Sequence, residues 1–156
     1  FYTRGMSFID MAYLKKSDLK NGIITYRRRK TGQQLTVKWE KCMEDIIAKY
    51  GENTATRYLL PIITNPCSDE RTQYRNAICR INVALKEVAG LAGLNIPLTM
   101  HVARHCWASV AKSKNIPLSV ISEGMGHDSE ETTRIYLASL DTSVVDKANS
   151  LILKDF

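Results

Sequence analysis

The last third of the chain carries histidine, arginine and tyrosine residues whose types and spacing suit catalysis. His101 and Arg104 are three residues apart, so they share one face if the segment is helical. His127 follows Gly-Met-Gly, and Tyr136 comes nine residues later. An arginine stays protonated and offers paired donors to an oxyanion, and a histidine titrates near neutral pH. A tyrosine becomes a nucleophile once a neighbour helps to remove its proton. These residues are therefore candidates for a catalytic site that binds an anionic group and supplies a nucleophile.

Helical segments are predicted to position these side chains. Residues 100–114 have a helical pattern that places His101 and Arg104 together. A short helix begins at Pro117, because proline is favoured in the first turn. The helix that carries Tyr136 is capped by Asp128 or Ser129, with two glutamates in its first turn where the helix dipole favours acids.

The rest of the chain predicts a mainly α, α+β fold with a small antiparallel hairpin or sheet. Residues 23–26 and 35–37 are rich in β-formers and flank a basic tip, Arg-Arg-Arg-Lys-Thr-Gly. Further helices are predicted over residues 7–14, 40–50, 70–92 and 143–153, and the prolines within residues 53–69 favour loop there.

Composition narrows the class of protein. With 156 residues, 44% hydrophobic and 24% charged, the chain fits one folded domain and has no apolar run long enough to cross a membrane. The net charge of +6 suits a polyanionic partner. The four cysteines form no C-x-x-C pair, which argues against a zinc ribbon or redox motif and favours reduced thiols. We therefore expect an intracellular protein with reduced thiols.

Three motifs give the sequence a family resemblance. "LTMHVARHCWAS", "ISEGMGHDS" and "TTRIYLAS" occur in that order, and "LKKSDL" precedes them near the start. Together they resemble the tyrosine recombinases, or phage integrases, of mobile elements. The resemblance implies site-specific recombination or integration of double-stranded DNA by cleavage and rejoining of single strands. It implies a 3′-phosphotyrosine intermediate, and neither a cofactor nor a metal. It also implies a cytoplasmic, DNA-associated bacterial protein.

The resemblance also implies a role for each candidate residue. Tyr136 is the implied nucleophile, and Arg104 clamps the scissile phosphate. His101 is the acid/base group, and His127 hydrogen-bonds the same phosphate. Lys30, in the turn of the hairpin, protonates the departing 5′ oxygen.

The chain departs from the family pattern at the first catalytic arginine. That arginine normally precedes the leucine of the "LKKSDL" segment by seven positions, which here is Ser7. Asp10 stands where the family usually has glutamate. The nearest basic residue is Arg4, so the first arginine is either displaced to Arg4 or absent.

Other polar residues near these motifs have two interpretations each. The run Arg27, Arg28 and Arg29 either contacts the DNA backbone or is a solvated face. His101 and His105 have the spacing of zinc ligands, but the glutamate of the H-E-x-x-H motif is missing between them. We interpret His105 as a residue that supports the site.

The expected organisation is a single catalytic domain over residues 1–156, the C-terminal part of a longer integrase whose N-terminal DNA-binding domains are absent. A homotetramer on DNA is expected, with the helix at residues 143–153 packing on a neighbouring subunit. Three alternatives stay open: a type IB topoisomerase, an inactive DNA-binding module of the same fold, and a zinc-dependent protein.

Overall fold

A computed structural model describes residues 1–50 and 55–137 of the chain. Its fold is mainly α with one small antiparallel sheet, which confirms the predicted class. In chain order the elements are α1 (Phe8–Ala12), a 3₁₀ turn (Lys16–Asp18), β1 (Leu19–Lys20), β2 (Ile23–Arg27), β3 (Gln34–Lys38), α2 (Lys41–Ile47), α3 (Glu70–Leu91), α4 (Met100–Ser113), α5 (Leu118–Met125) and α6 (Glu130–Leu137).

The sheet has the order β1-β2-β3, with both pairs antiparallel. Ile24 pairs with Val37 and Tyr26 with Leu35, so the alternate apolar side chains of β2 and β3 share the buried face. These side chains form a core cluster with Met43 of α2. The predicted hairpin is present, while β1 is an additional strand whose two residues carry no alternation that the sequence could reveal.

The C-terminal helices form a second core. Ala108 of α4, Ile121 and Met125 of α5 and Leu137 of α6 are buried together. Of the two predicted caps of α6, Ser129 is the one observed, because its Oγ accepts a hydrogen bond from the Thr132 N–H at 3.3 Å. The chemistry-bearing residues therefore lie on short helices that are fixed by one shared apolar cluster.

Two glycines allow the N-terminal part of the chain, which includes the hairpin, to approach α4 and the end of α5 closely. Gly126 ends α5 with a φ of +64°, and a Cβ there would lie 2.7 Å from Leu35 Cδ1 and 3.3 Å from Arg28 Cδ. Gly5 has a φ of +65°, and a Cβ there would lie 3.0 Å from Arg104 Cα. Only glycine combines this backbone conformation with so little space, so the hairpin packs directly on the turn after α5.

The predicted helix at residues 143–153 lies outside the described residues. Within the part of the chain that is described, no helix is long and apolar enough to span a membrane.

Replacing Gly126 with alanine is expected to destabilise the protein more than replacing Gly93, which lies at the end of α3. The φ angles are +64° and +65°, so both alanines meet the same left-handed strain, about 1–2 kcal/mol. Only Gly126 is crowded, since nothing lies within 4 Å of a Cβ at Gly93. Urea unfolding should show a loss of about 1–2 kcal/mol for Gly93→Ala and about 2–5 kcal/mol for Gly126→Ala. Equal losses would contradict tight packing of the hairpin on α5.

Candidate active site

Two buried arginines meet the carbonyl end of α5. Arg104 of α4 is 6% exposed and donates from Nη1 to the Gly5 carbonyl at 2.8 Å and from Nη2 to the Met125 carbonyl at 2.6 Å. Arg28, directly after β2, is 7% exposed and donates from Nη1 to the Gly126 carbonyl. Carbonyls at a helix C-terminus carry partial negative charge, so they stabilise both guanidinium groups.

Within the described residues neither guanidinium forms an ion pair, and the charge of the buried Asp10 is only the smallest of the causes that act on the pKa of Arg104. In residues 1–50 and 55–137, Nε of Arg28 is also buried without a hydrogen-bond partner. Burial, and then the charge of Arg28, lower the pKa of Arg104 from its ordinary value. Two buried, unpaired cations are unfavourable unless an anion joins them. The arrangement is therefore suited to bind an oxyanion such as a phosphate.

His127 connects Arg104 to α6. Its Nε2 lies 3.2 Å from Arg104 Nη2, and its Nδ1 lies 2.8 Å from Oγ1 of the buried Thr133. Because arginine only donates, Nε2 is the acceptor, so Nδ1–H donates to Thr133. Burial, followed by the charges of Arg104 and Arg28, lowers the pKa of His127 to about 4. The imidazole is therefore neutral at pH 7, and its Nε2 orients Arg104.

Tyr136 of α6 is surrounded by all three histidines of the chain. The His105 ring is stacked on the Tyr136 ring, with 3.7 Å between centroids and 1° between planes. His101 and His127 approach edge-on, at centroid distances of 5.8 and 5.6 Å. His101 itself is exposed to solvent. The helix motif and the turn motif of the sequence thus converge on one tyrosine ring.

The Tyr136 hydroxyl is buried, and within the described residues it has no hydrogen-bond partner. Burial raises the pKa of Tyr136, while the positive charges of Arg104 and Arg28 oppose that rise. The group is therefore a protonated phenol in this state. It lies within the electrostatic reach of both arginines, which would stabilise a phenolate.

The structure also describes the three candidate positions nearer the N-terminus, Ser7, Arg4 and Lys30. The Ser7 hydroxyl caps α1 and donates to Asp10 Oδ2 at 2.5 Å, so α1 supplies no basic side chain at this position. Arg4 is exposed, and in the described part of the chain its side chain forms no hydrogen bond or ion pair. Lys30 is exposed at the hairpin tip, and its charge is one of the causes that lower the pKa of His127.

The three arginines of the basic run point in different directions. Arg27 is exposed and donates to the Gly32 carbonyl at 2.7 Å. The guanidinium of Arg29 lies 3.9 Å above the Tyr13 ring. Arg28 points inward because the two-residue alternation of β2 continues one step past the strand. That alternation is the signal by which sequence reasoning could have placed Arg28 in the site.

The zinc alternative gains no support from the geometry. Among the described residues, no three side chains of His, Cys, Asp or Glu are grouped so that they could hold a metal ion.

Comparison with known proteins decides the family. Residues 2–143 match the sequence profile described as the phage integrase family. The chain belongs to the phage integrase family. No curated protein sequence matches this integrase chain.

Solved recombinases share the fold of this integrase chain at low sequence identity. XerA recombinase matches with a TM-score of 0.66 and 22% identity, over 95% of this chain and 53% of that one. XerH recombinase bound to its difH substrate matches with a TM-score of 0.64 and 20% identity, over 96% and 43%. The Tn1549 transposon integrase with circular intermediate DNA matches with a TM-score of 0.65 and 15% identity, over 98% and 55%. The chain spans about half the length of these proteins.

His127 is expected to titrate near pH 4 in the folded protein and near 6.5 in urea, as followed by NMR. Because the folded pKa is the lower one, the unfolded state takes up the proton first as the pH falls. The stability that neutral His127 contributes is therefore complete above about pH 6.5 and is lost towards pH 4.

A His127→Gln variant serves as the control, because it should lack this part of the pH dependence of the unfolding free energy. A folded-state midpoint above about pH 6 would contradict the placement of two cationic arginines beside a half-buried imidazole.

Proposed function

We propose that this integrase domain cuts and rejoins single strands of duplex DNA through a 3′-phosphotyrosine at Tyr136. The observation that carries the proposal concerns the described residues: the buried guanidiniums of Arg28 and Arg104 form no ion pair there, and the buried Tyr136 hydroxyl within their electrostatic reach has no hydrogen-bond partner there. An oxyanion would satisfy both features at once.

In the proposed reaction, the scissile phosphate lies between Arg104 and Arg28. The free Nε–H of Arg28 and the remaining donors of both side chains hydrogen-bond the non-bridging oxygens. Arg28 thereby takes the place of the arginine that the family carries where this chain has Ser7. This placement replaces Arg4, whose exposed side chain forms no hydrogen bond or ion pair within the described residues.

Two proton transfers accompany the bond changes. Tyr136 Oη attacks phosphorus and its proton passes to His101, while the bond to the 5′ oxygen breaks and that oxygen takes a proton from Lys30. Rejoining is the reverse, and the energy of the phosphodiester stays in the covalent link. The proposed cleavage and rejoining steps therefore need neither a nucleotide nor a metal ion.

His127 changes its role when the phosphate binds. In the free site its Nε2 accepts from Arg104 and cannot donate to a phosphate. A phosphate dianion or diester nearby offsets the positive charges that lower the pKa of His127. Uptake of a proton on Nε2 would then allow the hydrogen bond to phosphate that the family resemblance implies.

Double-stranded DNA is the proposed partner. The net charge is +6, and Arg27 and Lys30 are exposed on the same hairpin, where they can neutralise backbone phosphates. The chain is proposed to be the catalytic domain of a longer integrase that acts as a homotetramer on two sites. Sedimentation with site DNA would contradict this assembly if only single protein copies were bound.

Trapping on DNA tests the reaction. The protein is incubated with supercoiled plasmid and quenched with detergent, and protein-linked nicked DNA is measured. The wild type is expected to form the adduct, and Tyr136→Phe is expected to form none, because the phenylalanine ring has no oxygen to attack phosphorus. Tyr50→Phe, a change of an exposed tyrosine at the end of α2, is the matched control and should keep the adduct.

Each other outcome favours a different function. An adduct with relaxation of plasmids that carry no pair of sites favours a type IB topoisomerase. DNA binding without any adduct favours a DNA-binding module that has lost activity.

Arg28→Gln is expected to slow adduct formation about 10²–10³-fold in single turnovers at saturating protein, because it removes a phosphate donor used in the transition state. Arg27→Gln, on the same hairpin but facing solvent, should weaken DNA affinity and leave the single-turnover rate within about threefold. Arg4→Gln should also stay within about threefold. A large loss in Arg4→Gln and none in Arg28→Gln would reverse the assignment.

A further inference from the structure

The stacked pair His105 and Tyr136 is not explained by phosphate binding. The two rings are parallel within 1° and 3.7 Å apart, which is van der Waals contact over a whole face. His105 also meets the His101 ring edge-on, at 4.7 Å between centroids. One helix, α4, therefore covers one face and one edge of the Tyr136 ring.

This contact matters because no hydrogen bond from a described residue fixes the Tyr136 hydroxyl. It has no partner among the described residues, so the direction in which Oη points depends on how the ring is packed. An in-line attack requires Oη to lie within a narrow range of positions about 3 Å from phosphorus. A flat neighbour on the ring face restricts the rotation that would move Oη out of that range.

His105 is also adjacent to Arg104 in the chain. The proposed phosphate ligand and the ring that covers Tyr136 thus belong to the same turn of α4, and the helix geometry sets the distance between them. Burial, and then the charges of His101 and Arg104, lower the pKa of His105, so a neutral ring faces the phenol at pH 7. A neutral aromatic ring is sufficient for packing and needs no ring nitrogen.

We propose that His105 is a positioning residue, which holds the Tyr136 ring by face-to-face stacking and so directs Oη towards the phosphate. The role rests on the proposed function, since it acts through Tyr136 as the nucleophile. It differs from an acid/base role, in which a ring nitrogen would take or give a proton. The shape of the ring is the property that matters.

Two substitutions separate shape from proton transfer. His105→Phe keeps a flat ring without nitrogens, and His105→Leu has an apolar side chain that cannot stack as a plane. In single-turnover trapping on plasmid DNA, we expect His105→Phe to recover the wild-type rate within about threefold. We expect His105→Leu to be about 10²-fold slower, as for a nucleophile misplaced by about 1 Å. The Kd for DNA should be the same in both variants.

A second readout does not depend on activity. In protein labelled with 3-fluorotyrosine, the fluorine resonance of Tyr136 is assigned by its loss in Tyr136→Phe. Its chemical shift should be similar in wild type and His105→Phe, and should move in His105→Leu because the ring current of the stacked neighbour is removed. The other fluorotyrosine resonances report whether the fold is intact.

The two readouts distinguish failure of the proposal from failure of the function. If the wild type forms no adduct, the proposed function fails, and the fluorine shift alone decides whether the stack exists. The positioning role is overturned if His105→Leu cleaves as fast as wild type, or if its Tyr136 resonance does not move. It is also overturned if His105→Phe is as slow as His105→Leu, because a ring nitrogen would then be required.

Discussion

The end of α5 holds two guanidinium groups on consecutive carbonyls, and most of the structure follows from that arrangement. Arg104 donates to Met125 and Arg28 donates to Gly126, so two like charges are buried side by side. Their repulsion is offset by the negative end of one helix dipole and by the Gly5 carbonyl. For this to happen, α5 must stop at Gly126, and the hairpin must come close enough for Arg28 to reach it.

Burial and this pair of charges together set the titration of the two neighbouring groups. The charges lower the pKa of both His127 and Tyr136, so they add to the effect of burial at the histidine and oppose it at the tyrosine. Burial and positive charge both disfavour the imidazolium of His127, so its pKa falls to about 4. At Tyr136, burial disfavours the phenolate while the arginines favour it, and burial is the larger cause. The free site therefore contains a neutral histidine and a protonated tyrosine. A bound anion would weaken the arginine contribution at both groups, so the tyrosine needs a base rather than a field alone to lose its proton.

Sequence reasoning identified the residues that gather around Tyr136 because their spacing along helices is a local property. His101 and Arg104 are one helical turn apart, and the Gly-Met-Gly-His127 turn follows from the left-handed conformation that ends α5. The orientation of Arg28 was not predicted, since a run of three arginines looks uniform until a strand register tells them apart. The stacking of His105 on Tyr136 depends on how α6 packs across α4. Residue spacing within either helix does not predict that packing. Similarly, β1 exists only through its pairing with Ile23 and Ile24.

A phosphate ligand on the hairpin belongs to the same loop as Lys30, whereas an arginine on α1 would not. The Arg28 N–H donates to the Gln33 carbonyl at 2.8 Å, and the Arg28 carbonyl accepts from the Gly32 N–H at 2.8 Å. These two bonds close the loop that contains Lys30, so the conformation of this loop sets the distance between Arg28 and Lys30. In the proposed mechanism, a phosphate that binds to Arg28 would therefore lie beside the loop that carries the proton donor for the leaving oxygen. Substrate binding and delivery of that proton are then linked through six residues of one turn. A serine at the usual arginine position is compatible with that link, because the charge it lacks is supplied from the loop that carries the acid.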